Sequence, residues 1–279
     1  MIRILQTIKY HLSVICLCIA LVGCASAPND PPKNFNSSSS TVGVVFLHAK
    51  WAEPHSVKVA PLIDEMRLSG IWVVQPELPW SRKRNYDVGY EEVMLEIHAI
   101  VNDMHNKAVT KVFVGGHSFG ANAAIGYAAR YSDVDGVIAI APGHLPDINA
   151  RGKIYGDDVE RAQKIIDGGR GDEPAEFIDV NQGKQATVIM SARNYISYFK
   201  PDGPAIIPLN IRKMNKKIAL FWVVGENDKI SWMGKHYAYN KAPFNEFSEY
   251  LETTGGHRET PNIAKHEVIE WIKKVTLVK

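Results

Sequence analysis

The sequence predicts an α/β fold, a mainly parallel sheet of about six strands with helices on both faces. Three observations predict it. Short apolar runs without polar alternation recur along the chain, as expected of strands buried on both sides. Segments with apolar residues three and four apart lie between them, the pattern of amphipathic helices. One run, Lys111 to Gly115, passes directly into Gly116-His117-Ser118-Phe119-Gly120 and an Ala-rich stretch, so a strand turns sharply into a helix there.

The elements follow in order. Val42 to Leu47 is the first buried strand, and a helix is expected from His55 to Leu68, stopping near Gly70. Ile71 to Val74 is the second strand, closed by Pro76 and Pro79. A helix runs from about Tyr90 to Asn106, with Val93, Ile97, Ile100 and Val101 on one face. The strand entering Ser118 and its helix reach about Arg130, and Val137 to Ile140 is a fourth strand ending at Pro142-Gly143. Residues 142–217 then separate it from Ile218 to Val224, more chain than one crossover helix needs. This stretch is expected to be a cap over the sheet edge. It contains a helix near Asp158 to Ile166, a hairpin with arms Phe177 to Val180 and Ala186 to Met190 turning at Gln182-Gly183-Lys184, and an aromatic cluster. A helix around Gly234 to Tyr239, a short strand Glu246 to Leu251 and a final amphipathic helix Pro261 to Val275 complete the reading, with Ile263, Val268, Ile269 and Ile272 facing inward. Strand–helix alternation of this kind implies a mainly parallel sheet with helices on both sides.

The N-terminus carries a different signal. Arg3 and Lys9 precede an apolar run, Leu12 to Val22, that is short for a membrane span. It ends in Leu21-Val22-Gly23-Cys24, which resembles the lipobox of bacterial lipoprotein signal peptides. That resemblance implies export, removal of residues 1–23 and lipidation of Cys24. Ala25, where an aspartate would favour inner-membrane retention, implies the outer membrane, facing the periplasm. An ordinary secretory signal cleaved after Ala25 or Ala27, or an uncleaved anchor, are the other readings. Residues 24–41, rich in Pro, Asn and Ser, have the composition of a flexible tether, leaving 42–279 as the folded domain.

Removing Arg3 and Lys9 from the 32 Lys+Arg leaves 30, equal to the 30 Asp+Glu. A neutral mature chain gives no support to nucleic-acid binding. The three cysteines of the full sequence are Cys16, Cys18 and Cys24, so a chain starting at Cys24 has neither a disulfide nor a cysteine metal cluster. The histidines lack His-x-x-x-His and His-Glu-x-x-His spacing, and no metal or other cofactor is expected.

Ligands of open parallel sheets gather at the carboxyl ends of the strands. His48-Ala49-Lys50, Ser118, Asp228 and His257 all stand at such ends. A serine hydroxyl becomes a useful nucleophile when an imidazole takes its proton, and the imidazole needs a carboxylate to fix its tautomer. The order Ser118…Asp228…His257 meets that requirement. Glu226, Asp87 and Glu77 are rival acids, and His236 and His266 rival bases. His48 and His117 are expected to brace neighbouring loops.

These residues carry a resemblance: 42–279 looks like an α/β-hydrolase of the serine esterase, lipase and peptidase superfamily. Gly116 to Gly120 matches its nucleophile motif, Val223-Val224-Gly225-Glu226-Asn227-Asp228 its acid loop, and Gly255-Gly256-His257 its histidine loop. The resemblance implies a Ser118–His257–Asp228 triad that cleaves a small-molecule ester, with amide or thioester as lesser alternatives. It also implies an oxyanion hole from the backbone N–H groups of Phe119 and of Lys50 or Ala49. His48-Ala49 stands where the family often has His-Gly, and the family's first two antiparallel strands have no room before Val42. Trp51, Tyr195, Tyr198 and Phe199 are candidates for a substrate pocket, with core packing as the alternative. A binding lipoprotein that keeps the fold without turnover, or an acyltransferase using the same triad, are the competing functions.

Overall fold

A computed structural model describes residues 41–277 of the chain. The expected signal peptide, Cys24 and the tether up to residue 40 lie outside the described residues. Thr41, expected in the tether, is instead buried and tied by its N–H to Thr110 Oγ1 and by its hydroxyl to the Ala108 carbonyl, both at 2.9 Å.

The main sheet has six strands: β1 (Val42–Leu47), β2 (Trp72–Val74), β3 (Lys111–His117), β4 (Gly136–Ile140), β7 (Ala219–Gly225) and β8 (Glu249–Thr253). Their order is β2-β1-β3-β4-β7-β8, and every pairing is parallel. Between β4 and β7 a second, two-stranded sheet pairs β5 (Pro174–Asn181) with β6 (Lys184–Ser191) as an antiparallel hairpin. Its two-residue turn, Gln182 and Gly183, carries positive φ at both positions (51° and 76°), which matches the twist of the arms.

Each buried strand serves two cores, which is why its sequence is continuously apolar. Val44 and Phe46 of β1 and Phe221 and Val223 of β7 face α1 (Ala60–Leu68) and α9 (Lys265–Thr276). Val45, Leu47, Leu220 and Trp222 face the opposite layer, with α2 (Tyr90–Asn106) and α3 (Phe119–Ala128). Every residue of α3 is buried, and its small side chains let it lie close to the sheet. The remaining helices are α4 (Pro146–Arg151), α5 (Asp158–Asp167), α6 (Ala192–Phe199), α7 (Ile207–Ile211) and α8 (Thr260–Ile263).

Several boundaries differ from expectation, and four of them have a clear local reason. The helix expected from His55 starts at Ala60, with Pro61 in its first turn, where a missing N–H costs nothing. The segment around Gly234 to Tyr239 is not a helix. Two 3₁₀ turns, Ser231–Met233 and Tyr239–Lys241, flank it, and Gly234 at φ 53° ends the first. The strand expected from Glu246 begins at Glu249, because Asn245 bends the chain beforehand: its side-chain oxygen accepts from Phe247 N (2.9 Å) and its carbonyl from Ser248 N (3.0 Å). The final helix breaks at Ala264 into α8 and α9, leaving Ile263 only half-buried.

Candidate active site

Ser118 stands between β3 and α3 with φ 58° and ψ −114°, a conformation costly for a residue with a side chain. Neighbouring groups hold it there: Ser118 N donates to the Ile140 carbonyl and Gly143 N to the Ser118 carbonyl, both at 3.0 Å. A Cβ at Gly120 would overlap the Leu47 carbonyl, so the first turn of α3 can approach the end of β1 only without one. A Cβ at Gly143 would lie 2.6 Å from Ser118 Oγ, so glycine there keeps the space beside the hydroxyl open. Trp51, Ala141 and His144, which follow the ends of β1 and β4, also have positive φ.

The three residues expected as a triad meet, although the serine and histidine are 139 positions apart. His257 Nε2 lies 2.9 Å from Ser118 Oγ and His257 Nδ1 2.7 Å from Asp228 Oδ2. A carboxylate only accepts, so Nδ1 carries the proton and Nε2 is free to accept from the hydroxyl. The second oxygen of Asp228 accepts from Ile230 N at 3.3 Å. Asp228 is buried, and the His257 side chain keeps 12% of its surface exposed. Of the rival acids it is Asp228 that reaches His257, and His266 is exposed, 3.8 Å from Glu65.

His48 and His117 brace the loops around this chain. His48 Nδ1–H donates to the Ala49 carbonyl (2.9 Å), and its Nε2 accepts from Leu78 N (3.0 Å). His117 Nε2–H donates to the His257 carbonyl at 2.7 Å. Burial lowers the pKa of His48, and burial with the adjacent His257 pushes His117 down to about 3, so both rings stay neutral at pH 7. His144 stacks on Phe119 at 3.9 Å and is likewise held neutral by burial beside Lys50.

Among the described residues the backbone N–H groups of Ala49, Lys50 and Phe119 donate to no protein acceptor. Phe119 opens α3, whose N-terminus carries partial positive charge. Donors without a partner beside a serine hydroxyl can receive an oxyanion.

The Lys50 side chain goes elsewhere, to a group that sequence reasoning passed over. Its ammonium is buried and donates to Asp179 Oδ1 at 2.6 Å and to the Val180 carbonyl at 3.1 Å. Asp179, fully buried on β5, also accepts from Trp51 Nε1 (2.8 Å) and the Tyr86 hydroxyl (2.7 Å), while Asn181 Nδ2 donates to the Lys50 carbonyl (3.0 Å). Burial pushes Lys50 below its ordinary pKa and Tyr86 well above its own. The hairpin is thereby latched onto the loop that follows β1. In the sequence Asp179 is an acid set between the apolar Phe177-Ile178 and Val180, the sign that it needed buried partners.

Two clefts border Ser118. Trp51 lines one. Tyr195, Tyr198 and Phe199 line neither and are corrected to core: all three are fully buried, Tyr195 stacks on Phe177 at 4.3 Å and on Phe199 at 4.4 Å, and Tyr198 meets Tyr86 edge-on. Their spacing on α6 puts them inward, under the hairpin, and their hydroxyls find backbone carbonyls there: Tyr195 donates to Ile178 and Tyr198 to Val88, each at 2.9 Å. Among the described residues no group of three or more His, Cys, Asp or Glu side chains is placed to hold a metal ion, and no helix is long and apolar enough to cross a membrane.

By sequence, no family model and no curated protein matches the chain. Solved structures do. Est1E from Butyrivibrio proteoclasticus, with ferulic acid bound, superposes at TM-score 0.63 and 16% identity, over 88% of this chain and 92% of that one. A monoacylglycerol lipase from Paleococcus ferrophilus gives 0.62 at 19% identity, over 85% and 96%. A thermostable carboxyl esterase from Bacillus coagulans, in complex with glycerol, gives 0.62 at 14%, over 86% and 92%. At such identities the likeness is one of fold, and with the six-stranded parallel sheet it identifies the architecture: the chain has the α/β-hydrolase fold.

Proposed function

We propose that the protein is a serine hydrolase that cleaves a carboxylic ester through an acyl-enzyme. The observation that carries this reading is the continuous chain Ser118 Oγ, His257 Nε2, His257 Nδ1, Asp228 Oδ2, with links of 2.9 and 2.7 Å. Ser118 Oγ attacks the ester carbonyl while its proton passes to His257 Nε2, and Asp228 stabilises the imidazolium. The N–H groups of Phe119 and of Lys50 or Ala49 receive the oxyanion. Collapse expels the alcohol, which takes the proton from His257. Water then attacks the acyl-enzyme, gives its proton to His257, and the acid leaves as Ser118 regains its hydrogen. The esterases and lipase that share the fold support an ester over an amide. Turnover of 4-nitrophenyl esters of graded chain length, compared with peptide anilides, tests the reading. Ester cleavage should fall at least about 10⁴-fold in Ser118→Ala; turnover that survives this substitution would remove the mechanism.

The same reading includes an address. Residues 1–23 act as a lipoprotein signal peptide and Cys24 carries the lipid that holds the domain at the outer membrane, facing the periplasm, on the tether 24–41. The support is the Leu21-Val22-Gly23-Cys24 sequence behind a charged, apolar leader. The full chain should partition with membranes, and Cys24→Ala should release it; unchanged partitioning of that variant counts against the anchor.

A further inference from the structure

The two clefts beside Ser118 differ in chemistry, and the hairpin tip, Asn181 and Gln182, borders both. One, of ≈ 650 Å³, has an apolar side formed by Leu145, Ile148, Ile154, Ile230, Trp232 and Met233, with Lys229, Arg258 and Glu259 among its polar borders. Trp232 is 79% exposed at its mouth, a large apolar surface left facing solvent. The other, of ≈ 530 Å³, runs toward the loop after β1 and is bordered by Lys58, Arg82, Lys184 and Arg258, the last of which it shares with the first cleft. All four are exposed, and among the described residues no carboxylate lies within ion-pair distance of any of them. Four such cations come together at one cleft that opens onto Ser118. They come from four separate segments: the approach to α1, the loop after β2, the start of β6 and the histidine loop. Glu53 is the acid on the same wall, the buried His48 and His117 are neutral, and Lys50 is already matched by Asp179. The Arg82 guanidinium lies 5.2 Å over the Trp51 ring, which leaves its edge N–H groups free to grip an oxyanion.

We propose that this cleft receives an anionic group of the substrate, a carboxylate or a phosphate. The preferred substrate is then an amphiphilic ester, with an apolar portion on one side of the scissile carbonyl and an anion on the other. This rests on the serine-hydrolase reading of Ser118 and adds to it the class of ester. Cations of one sign converging on a cleft raise the local concentration of an anion and align it before reaction, an effect that weakens with salt.

Matched ester pairs test it. 4-Carboxyphenyl butanoate against 4-carbamoylphenyl butanoate places the anion on the alcohol side, and the 4-nitrophenyl monoester of glutaric acid against 4-nitrophenyl pentanoate places it on the acyl side. The anionic member of at least one pair should be preferred about 10-fold or more in kcat/KM at low salt, the preference shrinking in 0.5 M NaCl. The double variant Arg82→Glu/Lys184→Glu should lower the anionic-to-neutral ratio about 10-fold, and the ratio removes any loss common to both esters. Glutarate or inorganic phosphate should raise KM for the anionic ester, the stronger competitor naming the anion. Equal use of both members in both pairs, a ratio unmoved by the double variant, or no competition by either anion overturns the assignment. If esters are cleaved in a Ser118-dependent way without anionic preference, the cleft assignment alone fails. If cleavage is absent or persists in Ser118→Ala, the hydrolase reading fails and the substrate class with it.

Discussion

His117 ties the strand that delivers Ser118 to the loop that delivers His257, through one hydrogen bond of 2.7 Å to the His257 carbonyl. The bond needs a proton on Nε2, and burial beside His257 keeps the ring from taking a second one by pushing the pKa to about 3. An unfolded histidine titrates near pH 6.5. Between those values only the unfolded chain takes the proton, so stability present at neutral pH is lost as pH falls below about 6.5. Burial pushes His48 and His144 in the same direction. The urea midpoint should therefore be lower at pH 5 than at pH 7.5, with a smaller difference in His117→Gln; a midpoint independent of pH over that range would contradict this role. At this scale much was legible. Ser118 and Asp228 each follow an apolar run, His257 follows a short strand and a Gly-rich loop, and chemistry requires those three types together. The strain at Ser118 and the opening kept by Gly143 depend on atoms from other strands and leave no mark beyond Gly and Pro at the strand ends.

Among the elements, the β5–β6 hairpin matters most to the site without contributing to the proton chain. It reaches the loop after β1 through Lys50–Asp179 and Asn181, and so fixes the segment whose N–H groups stand near Ser118. Replacing Asp179 by Ala leaves the Lys50 ammonium buried without its counter-charge and strips Trp51 and Tyr86 of their acceptor. Removing one member of a buried pair costs about 3–5 kcal/mol. Asp179→Ala should lower stability by that order in urea denaturation, and an unchanged midpoint would show the latch to be dispensable. The hairpin itself was readable, because Gln182-Gly183 between two apolar-alternating arms is a turn signal. Its docking was not. Register against a distant loop is set by one buried acid, and Tyr195, Tyr198 and Phe199 look alike in sequence whether they face a cleft or a core.

Across the whole molecule, a sheet in the order β2-β1-β3-β4-β7-β8 brings residues far apart in sequence to one edge. The parallel sheet was visible in advance because a strand facing two cores has no polar face to interrupt it. The uneven surface charge was not. An overall balance of acids and bases hides the unpaired cations at one cleft, since whether a lysine is paired depends on tertiary neighbours. The central claim is that this assembly makes Ser118 a nucleophile. Reaction of the intact protein with a fluorophosphonate, followed by peptide mass spectrometry, tests it most directly. The account predicts one adduct, on Ser118, slowed strongly in His257→Ala; a folded protein that stays unmodified, or carries the label on another residue, would contradict it.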